Sequence, residues 1–405
     1  MASQTAEIAS QKPVWTQTFA MLCLTVFLAY AYMAMLTPTI PLYVKDLGGS
    51  TFVAGLVLLS FSVPSFLLRP LVGYWADAWS VFGVLIAGTL LLTIGGLLQL
   101  PEVLALLFFA SIIRGVGWAG LNTGGFSLLA HLAPPARRGQ ASSYYNMFIA
   151  APSTAFPALA LLLIDTPHAG FSAAIFVSAL FAMAATGVAI TLWRRRESMI
   201  EQPPVDRGQP LELTKLLERS TLLATVLLLC VTLTIPAVIS FVPLYAKEVG
   251  IGGVGWFYVA SGLGIIGIQL IVGPLTDRFG RGRSLLVSYA CVAIALVIIV
   301  LARNLLVLVI AGVVYSAGQG LTSASTTAIA MDRATVQRRG AAMATYSLAF
   351  QLGMGIGSVI AGGLIDTAGY ETMYLFSIGI IGVGVIFALL NWQALRLQPR
   401  TLTTV

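Results

Sequence analysis

The sequence predicts an all-α integral membrane protein, with twelve transmembrane helices in two six-helix bundles related as parallel repeats by a pseudo-twofold axis. Three observations carry this expectation. Only 9% of the 405 residues are charged and 58% are hydrophobic, with mean hydropathy +0.93, whereas a soluble domain has roughly 25% charged residues. Apolar runs of about 20 residues, each able to cross the hydrocarbon layer as a helix, succeed one another along the chain. Short motifs of the first half return in the second at offsets of 200–202 residues. So few charges exclude a soluble enzyme, a nucleic-acid binder and a disulfide-rich secreted module. Barrel strands would alternate apolar and polar residues, whereas these runs are continuously apolar.

In chain order the expected spans are 16–41, 52–76, 81–100, 103–130, 140–164 and 170–193, then 220–245, 251–275, 284–302, 305–330, 341–365 and 371–393. The first run is long and lacks a small-residue cleavage site, so it is read as a retained span rather than a signal peptide. Residues 1–193 form the first bundle and 220–405 the second. Between them, 194–219 is charged and contains Pro203, Pro204 and Pro210, the composition of a flexible cytoplasmic linker. Within it, 211–218 could form a short interfacial helix. Cys23, Cys230 and Cys291 all lie inside apolar runs, which argues against a disulfide.

Orientation follows from Lys and Arg, which concentrate on the cytoplasmic side. With the N-terminus inside, 17 basic residues fall on the inner side and 3 (Lys45, Lys247 and Arg303) on the outer side. Both termini are therefore expected in the cytoplasm, and the net charge of +7 is mostly a topology signal. Membrane lipids with anionic headgroups are a secondary partner; nucleic acid is not expected.

The halves repeat. Ile40-Pro41-Leu42-Tyr43 matches Val242-Pro243-Leu244-Tyr245, and Val72-Gly73 with Asp77 matches Val272-Gly273 with Asp277. Arg137-Arg138-Gly139 returns as Arg338-Arg339-Gly340, and Leu163-Ile164-Asp165-Thr166 as Leu364-Ile365-Asp366-Thr367. An even number of spans per half preserves orientation, so the repeats are parallel; that arrangement places a substrate site near the midplane.

Gly273-Pro274-Leu275-Thr276-Asp277-Arg278-Phe279-Gly280-Arg281-Gly282-Arg283 resembles the G-x-x-x-D-R-x-G-R-R signature of the major facilitator superfamily. The resemblance covers nearly the whole chain. Arg69-Pro70-Leu71-Val72-Gly73-Tyr74-Trp75-Ala76-Asp77 is similar to the bacterial sugar-efflux and drug-efflux branches, and Arg114 resembles the arginine of drug/proton antiporters. The first copy departs from the signature: Ala78-Trp79-Ser80 replaces its basic cluster. The glycine- and proline-rich antiporter pattern of the fifth span is also absent. The resemblance implies a multi-pass protein of the bacterial inner membrane, working as a monomer and exporting small organic molecules, with protons as the coupling partner.

The resemblance also implies a cytoplasmic gate in which Asp77 and Asp277 face the N-termini of helices in the other half. Helix N-termini attract carboxylates. Arg278, Arg281, Arg137, Arg138, Arg338 and Arg339 complete that gate. The alternative is ordinary positive-inside loop chemistry.

Of the fifteen acids none lies deep in a span, whereas two arginines do. A charge near the bilayer centre costs at least ~2.5–3.5 kcal/mol and faces the interior or a cavity. Arg114, eleven residues past Val103, sits about 16 Å from the outer end of its helix. It is read either as substrate-facing or as a structural strut. Arg69, nearer the cytoplasmic end, reads foremost as a strut or gate residue. A guanidinium suits carboxylate or phosphate, so an organic-anion facilitator or importer is an alternative function, and a non-transporting receptor or scaffold is another.

Proton coupling through a buried acid has no candidate, which leaves the outer-rim carboxylates Asp46, Glu248, Asp165 and Asp366; each could equally be a solvated loop charge. By resemblance, the cleft is lined by Tyr30, Asn122, Asn146, Tyr258, Tyr315, Gln319 and Gln351. Each has helix–helix hydrogen bonding as its alternative. Gly117, Gly120 and Gly124 read as close packing. No phosphate-binding loop, His/Cys metal cluster or Ser-His-Asp arrangement is present, so no ATP, metal, cofactor or enzymatic activity is expected.

Overall fold

The structure, a computed structural model, describes residues 14–134, 137–167, 169–195, 218–333 and 339–396. These residues are helical with no strand among them. The expected linker helix over 211–218 lies almost wholly outside the described residues. Chain contacts divide the protein into two compact units. Met1–Leu47 and Ser60–Gln209 form the first; Gly48–Leu59 and Pro210–Val405 form the second. Each is described by itself.

In the first unit, α1 (Gln17–Asp46) opens on Thr16, whose hydroxyl accepts from Phe19 N at 3.2 Å, as an N-cap should. Helix α2 (Thr51–Leu67) begins in the second unit and meets α3 (Arg69–Ala78) in the first at a 44° bend, where Pro70 cannot donate to the helix ladder. Helices α4 (Val81–Leu97), α5 (Leu104–Leu132), α6 (Arg138–Ala150), α7 (Pro152–Asp165) and α8 (Gly170–Arg194) follow.

The second unit contains α9 (Leu222–Thr232), a single π turn over Pro236–Ser240 and α10 (Val242–Glu248), three pieces of one expected span. It continues with α11 (Gly255–Phe279), α12 (Arg281–Leu301), α13 (Leu305–Arg333), α14 (Arg339–Leu390) and α15 (Trp392–Arg396). Gly369, at φ +83°, divides α14 into two helices, a left-handed conformation that a residue with a Cβ resists. Among the described residues, eight helices are long and apolar enough to cross a membrane, or nine counting the bent pair. Val81–Leu97, Gly255–Gln269 and the division at Gly369 account for the remainder in a manner consistent with twelve spans.

Lipid supplies no hydrogen bonds, so hydroxyls on these helices bond inward. Thr25, Thr39 and Thr322 each donate to the carbonyl four residues back, at 2.9, 2.7 and 2.9 Å. Small residues let helices approach until backbones touch. A Cβ on Gly88 would meet Leu121 N at 2.5 Å, and one on Gly120 would meet Gly88 Cα at 2.8 Å. Gly117 and Gly124 lie on the same α4–α5 seam, the close packing expected of that glycine run.

The repeat reaches individual bonds. In the first unit Tyr43 donates to the Gln99 carbonyl at 3.3 Å; in the second its counterpart Tyr245 donates to the Val300 carbonyl at 3.2 Å. Gly88 against Gly117 in α4–α5 is matched by Ser288 against Gly318 in α12–α13.

Candidate functional site

In the first unit, polar and aromatic side chains of α1, α2 and α5 meet. Helical spacing puts Arg114, Trp118 and Asn122 on one face of α5 at i, i+4 and i+8. Tyr30 on α1 donates to Asn122 Oδ1 at 2.9 Å, and Asn122 Nδ2 donates back to the Trp118 carbonyl at 2.9 Å. The Tyr30 and Trp118 rings lie 4.6 Å apart, with Phe61 of α2 at 6.2 Å from Trp118. Tyr30, Trp118, Asn122 and Phe61 are all half-exposed. Arg69, at the start of α3, lies within the electrostatic reach of the Tyr30 hydroxyl.

Arg114 is 4% exposed. Its guanidinium carbon stands 5.4 Å from the ring centres of both Tyr32 and Phe61, a cation–π clamp. Nη2 reaches Met33 Sδ at 3.5 Å, while Nε has no hydrogen-bond acceptor. Among the described residues, no carboxylate pairs with Arg114. The clamp holds the charge without cancelling it.

The second unit is neutral at the matching depth. Tyr315 is fully buried, its hydroxyl 3.1 Å from that of Thr234. Tyr258 donates to the Ile239 carbonyl at 2.6 Å, and Tyr374 donates to Ala237 at 3.3 Å. Both carbonyls belong to the π turn, and Pro243, four residues after Ile239, has no N–H to offer the Ile239 carbonyl, so the Tyr258 hydroxyl bonds it instead. Gln319 and Gln351 are half-exposed.

At the end expected to face the cytoplasm, Arg281 pairs with Asp332 and also donates to the Ala328 carbonyl at 3.3 Å, joining α12 to α13. Arg137 and Arg138 are exposed at the start of α6. The side chains of Asp77, Asp277, Arg278 and Arg339, and the whole of Arg338, lie outside the described residues.

At the end expected to face outward, Asp366 caps α2. Its carboxylate accepts from Thr51 N at 3.0 Å, Phe52 N at 2.7 Å and the Thr51 hydroxyl. Beside it, Ser358 donates to the Gly55 carbonyl at 3.0 Å. Partial burial pushes the Asp366 carboxyl up, but the bonds from Thr51, Phe52 and Ser50 outweigh it and hold the group below its ordinary value. Asp46, Asp165 and Glu248 are exposed.

The structure thus brings Tyr30, Asn122, Arg114 and Arg69 into one neighbourhood, and ties Tyr258 and Tyr315 into hydrogen bonds within the second unit. Asn146 is exposed on α6 away from these bonds. Sequence reasoning missed Trp118 and Phe61. The four-residue spacing on either side of Trp118 was the available signal; nothing local marked Phe61.

A family model described as Major Facilitator Superfamily matches residues 22–268 and 249–402. The chain is 25% identical to the MFS-type transporter YhhS of Escherichia coli K12 over 92% of its length and 91% of that protein's. It is 23% identical to the MFS-type transporter MJ1560 of Methanocaldococcus jannaschii, covering 92% and 96% of the two chains. Among solved structures, a POT family transporter in complex with 5-aminolevulinic acid aligns with a TM-score of 0.78 at 12% identity, covering 93% of this chain and 96% of that one. The nucleoside transporter NupG aligns at 0.71 with 15% identity, over 95% and 100%. These two likenesses concern the fold.

Proposed function

This chain belongs to the Major Facilitator Superfamily, and on that premise we propose that it exports small organic molecules across the bacterial inner membrane by alternating access, driven by the proton gradient. The observation that supports a solute pathway is the half-exposed face of Tyr30, Trp118 and Asn122. Polar and aromatic groups on helices that lipid requires to be apolar are expected where solute passes. A pathway that is mostly apolar, with a few orienting hydrogen bonds, suits small organic molecules.

In this proposal the working halves are 1–193 and 220–405, joined by the cytoplasmic segment 194–219, with both termini inside and the protein acting as a monomer in contact with lipid. Asp77, Asp277 and the arginine pairs Arg137/Arg138 and Arg338/Arg339 close the cytoplasmic side. Protons act through the outer carboxylates. Among them Asp366 is held ionised by its hydrogen bonds to the start of α2, which leaves Asp46, Asp165 and Glu248 as the favoured carriers.

The test is solute-dependent proton flux in proteoliposomes carrying an internal pH dye. Addition of a transported solute moves protons in liposomes containing the protein and not in empty ones. Solute uptake with no proton movement at any imposed gradient would remove the coupling.

A further inference from the structure

The four repeat matches pair positions 200–202 residues apart, and on that correspondence the intramembrane charges are one-sided. Arg69 aligns with Gln269, and Arg114 with Tyr315. Both cations therefore belong to the first unit, where six groups form a continuous run. Arg114 sits over Phe61 at 5.4 Å; Phe61 lies 6.2 Å from Trp118; Trp118 lies 4.6 Å from Tyr30. Tyr30 is bonded to Asn122 and within the reach of Arg69.

From this arrangement we infer that the first unit holds the substrate and that the substrate is an organic anion with a planar, apolar body. The inference rests on the transport reading but not on its direction. Arg114 is buried, its Nε hydrogen lacks an acceptor, and no acid among the described residues offsets its charge. A buried guanidinium so placed favours an incoming carboxylate or phosphonate, which its fork can bind in two places. The aromatic rings beside Arg114 supply a surface for a flat apolar body. Asn122 and Tyr30, already bonded to each other, offer the orienting polar edge. The membrane potential supports the same assignment for an exporter: a negative cell interior drives a monovalent anion outward by about 2.3 kcal/mol per 100 mV.

The experiment measures thermal stabilisation of the full-length purified protein by four probes of similar size: benzoate, phenylphosphonate, benzamide and benzylamine. A ligand that binds only the folded state raises the melting temperature. Benzoate and phenylphosphonate are expected to raise it, and benzamide and benzylamine to leave it unchanged. Arg114→Gln and, separately, Arg69→Gln are each expected to weaken the anion effect about tenfold or more in half-maximal concentration, the loss of one charge-assisted bond. Arg303→Gln, an outer-rim control, retains it. Because Arg114→Gln could fail to fold, Arg69→Gln and Asn122→Ala, at half-exposed positions, carry the test independently. Equal stabilisation by benzamide and benzoate, or anion stabilisation unchanged in Arg69→Gln and Asn122→Ala, overturns the inference. Solute movement of the neutral probe in proteoliposomes would then keep the transport reading while the anion assignment falls. Anion binding without any solute movement would do the reverse.

Discussion

Asp366 holds the first amides of α2 through bonds of 3.0 and 2.7 Å and a third from the Thr51 hydroxyl. Removing the carboxylate in Asp366→Ala leaves those donors to water and is expected to cost about 1–2 kcal/mol locally, once solvent screening of an exposed group is allowed for. Amide hydrogen exchange reads this directly: protection falls at Thr51 and Phe52 and is unchanged in α4. The pH dependence follows from the lowered pKa. The bonded state gains stability above the ordinary carboxylate pKa of about 3.9, and the gain is lost as pH falls through the lower bonded value. At neutral pH the cap is therefore fully charged. Tyr258 makes a second single-residue case. Tyr258→Phe removes the donor to the Ile239 carbonyl, whose helix partner four residues on would be Pro243, and is expected to destabilise the second unit by about 1–3 kcal/mol, measured as a drop in melting temperature in detergent. Unaltered stability would mean the carbonyl finds another donor.

Between elements, the α4–α5 seam of the first unit is demanding because Gly88, Gly117 and Gly120 bring backbones together. Gly88→Leu would force the helices apart, and overpacking of this kind costs about 1–3 kcal/mol; thermal unfolding is expected to shift down with the equivalent substitution at exposed Gly187 neutral. The seam was legible in the sequence because glycines at three- and four-residue spacing share a helix face. The span positions were legible for a similar reason, since lipid enforces long apolar runs whatever the tertiary contacts. Other features had no local signal. The partner of Asp366 lies 315 residues away, and a capping threonine reads the same wherever its acid comes from. Pro236 lies within the expected span 220–245, and nothing local marked that a π turn would form there whose carbonyls Tyr258 and Tyr374 bond. The bend between α2 and α3 was likewise concealed inside one apolar run.

At the scale of the molecule, two units share internal contacts such as the Tyr43 and Tyr245 bonds yet differ in intramembrane charge. That combination suits a transporter in which architecture is duplicated and substrate recognition is not. Asp277→Asn is expected to leave expression intact and slow transport in proteoliposomes; unchanged kinetics would remove Asp277 from the gate. The central claim is that access alternates between the two membrane faces. Pulsed spin-label distances test it, with one pair at the outer positions 46 and 248 and another at the inner positions 137 and 333, in a background in which Cys23, Cys230 and Cys291 are replaced. The account predicts reciprocal change on adding a transported solute, one pair lengthening as the other shortens. Distances at both ends that stay fixed across solute and proton conditions, while transport proceeds, would contradict it.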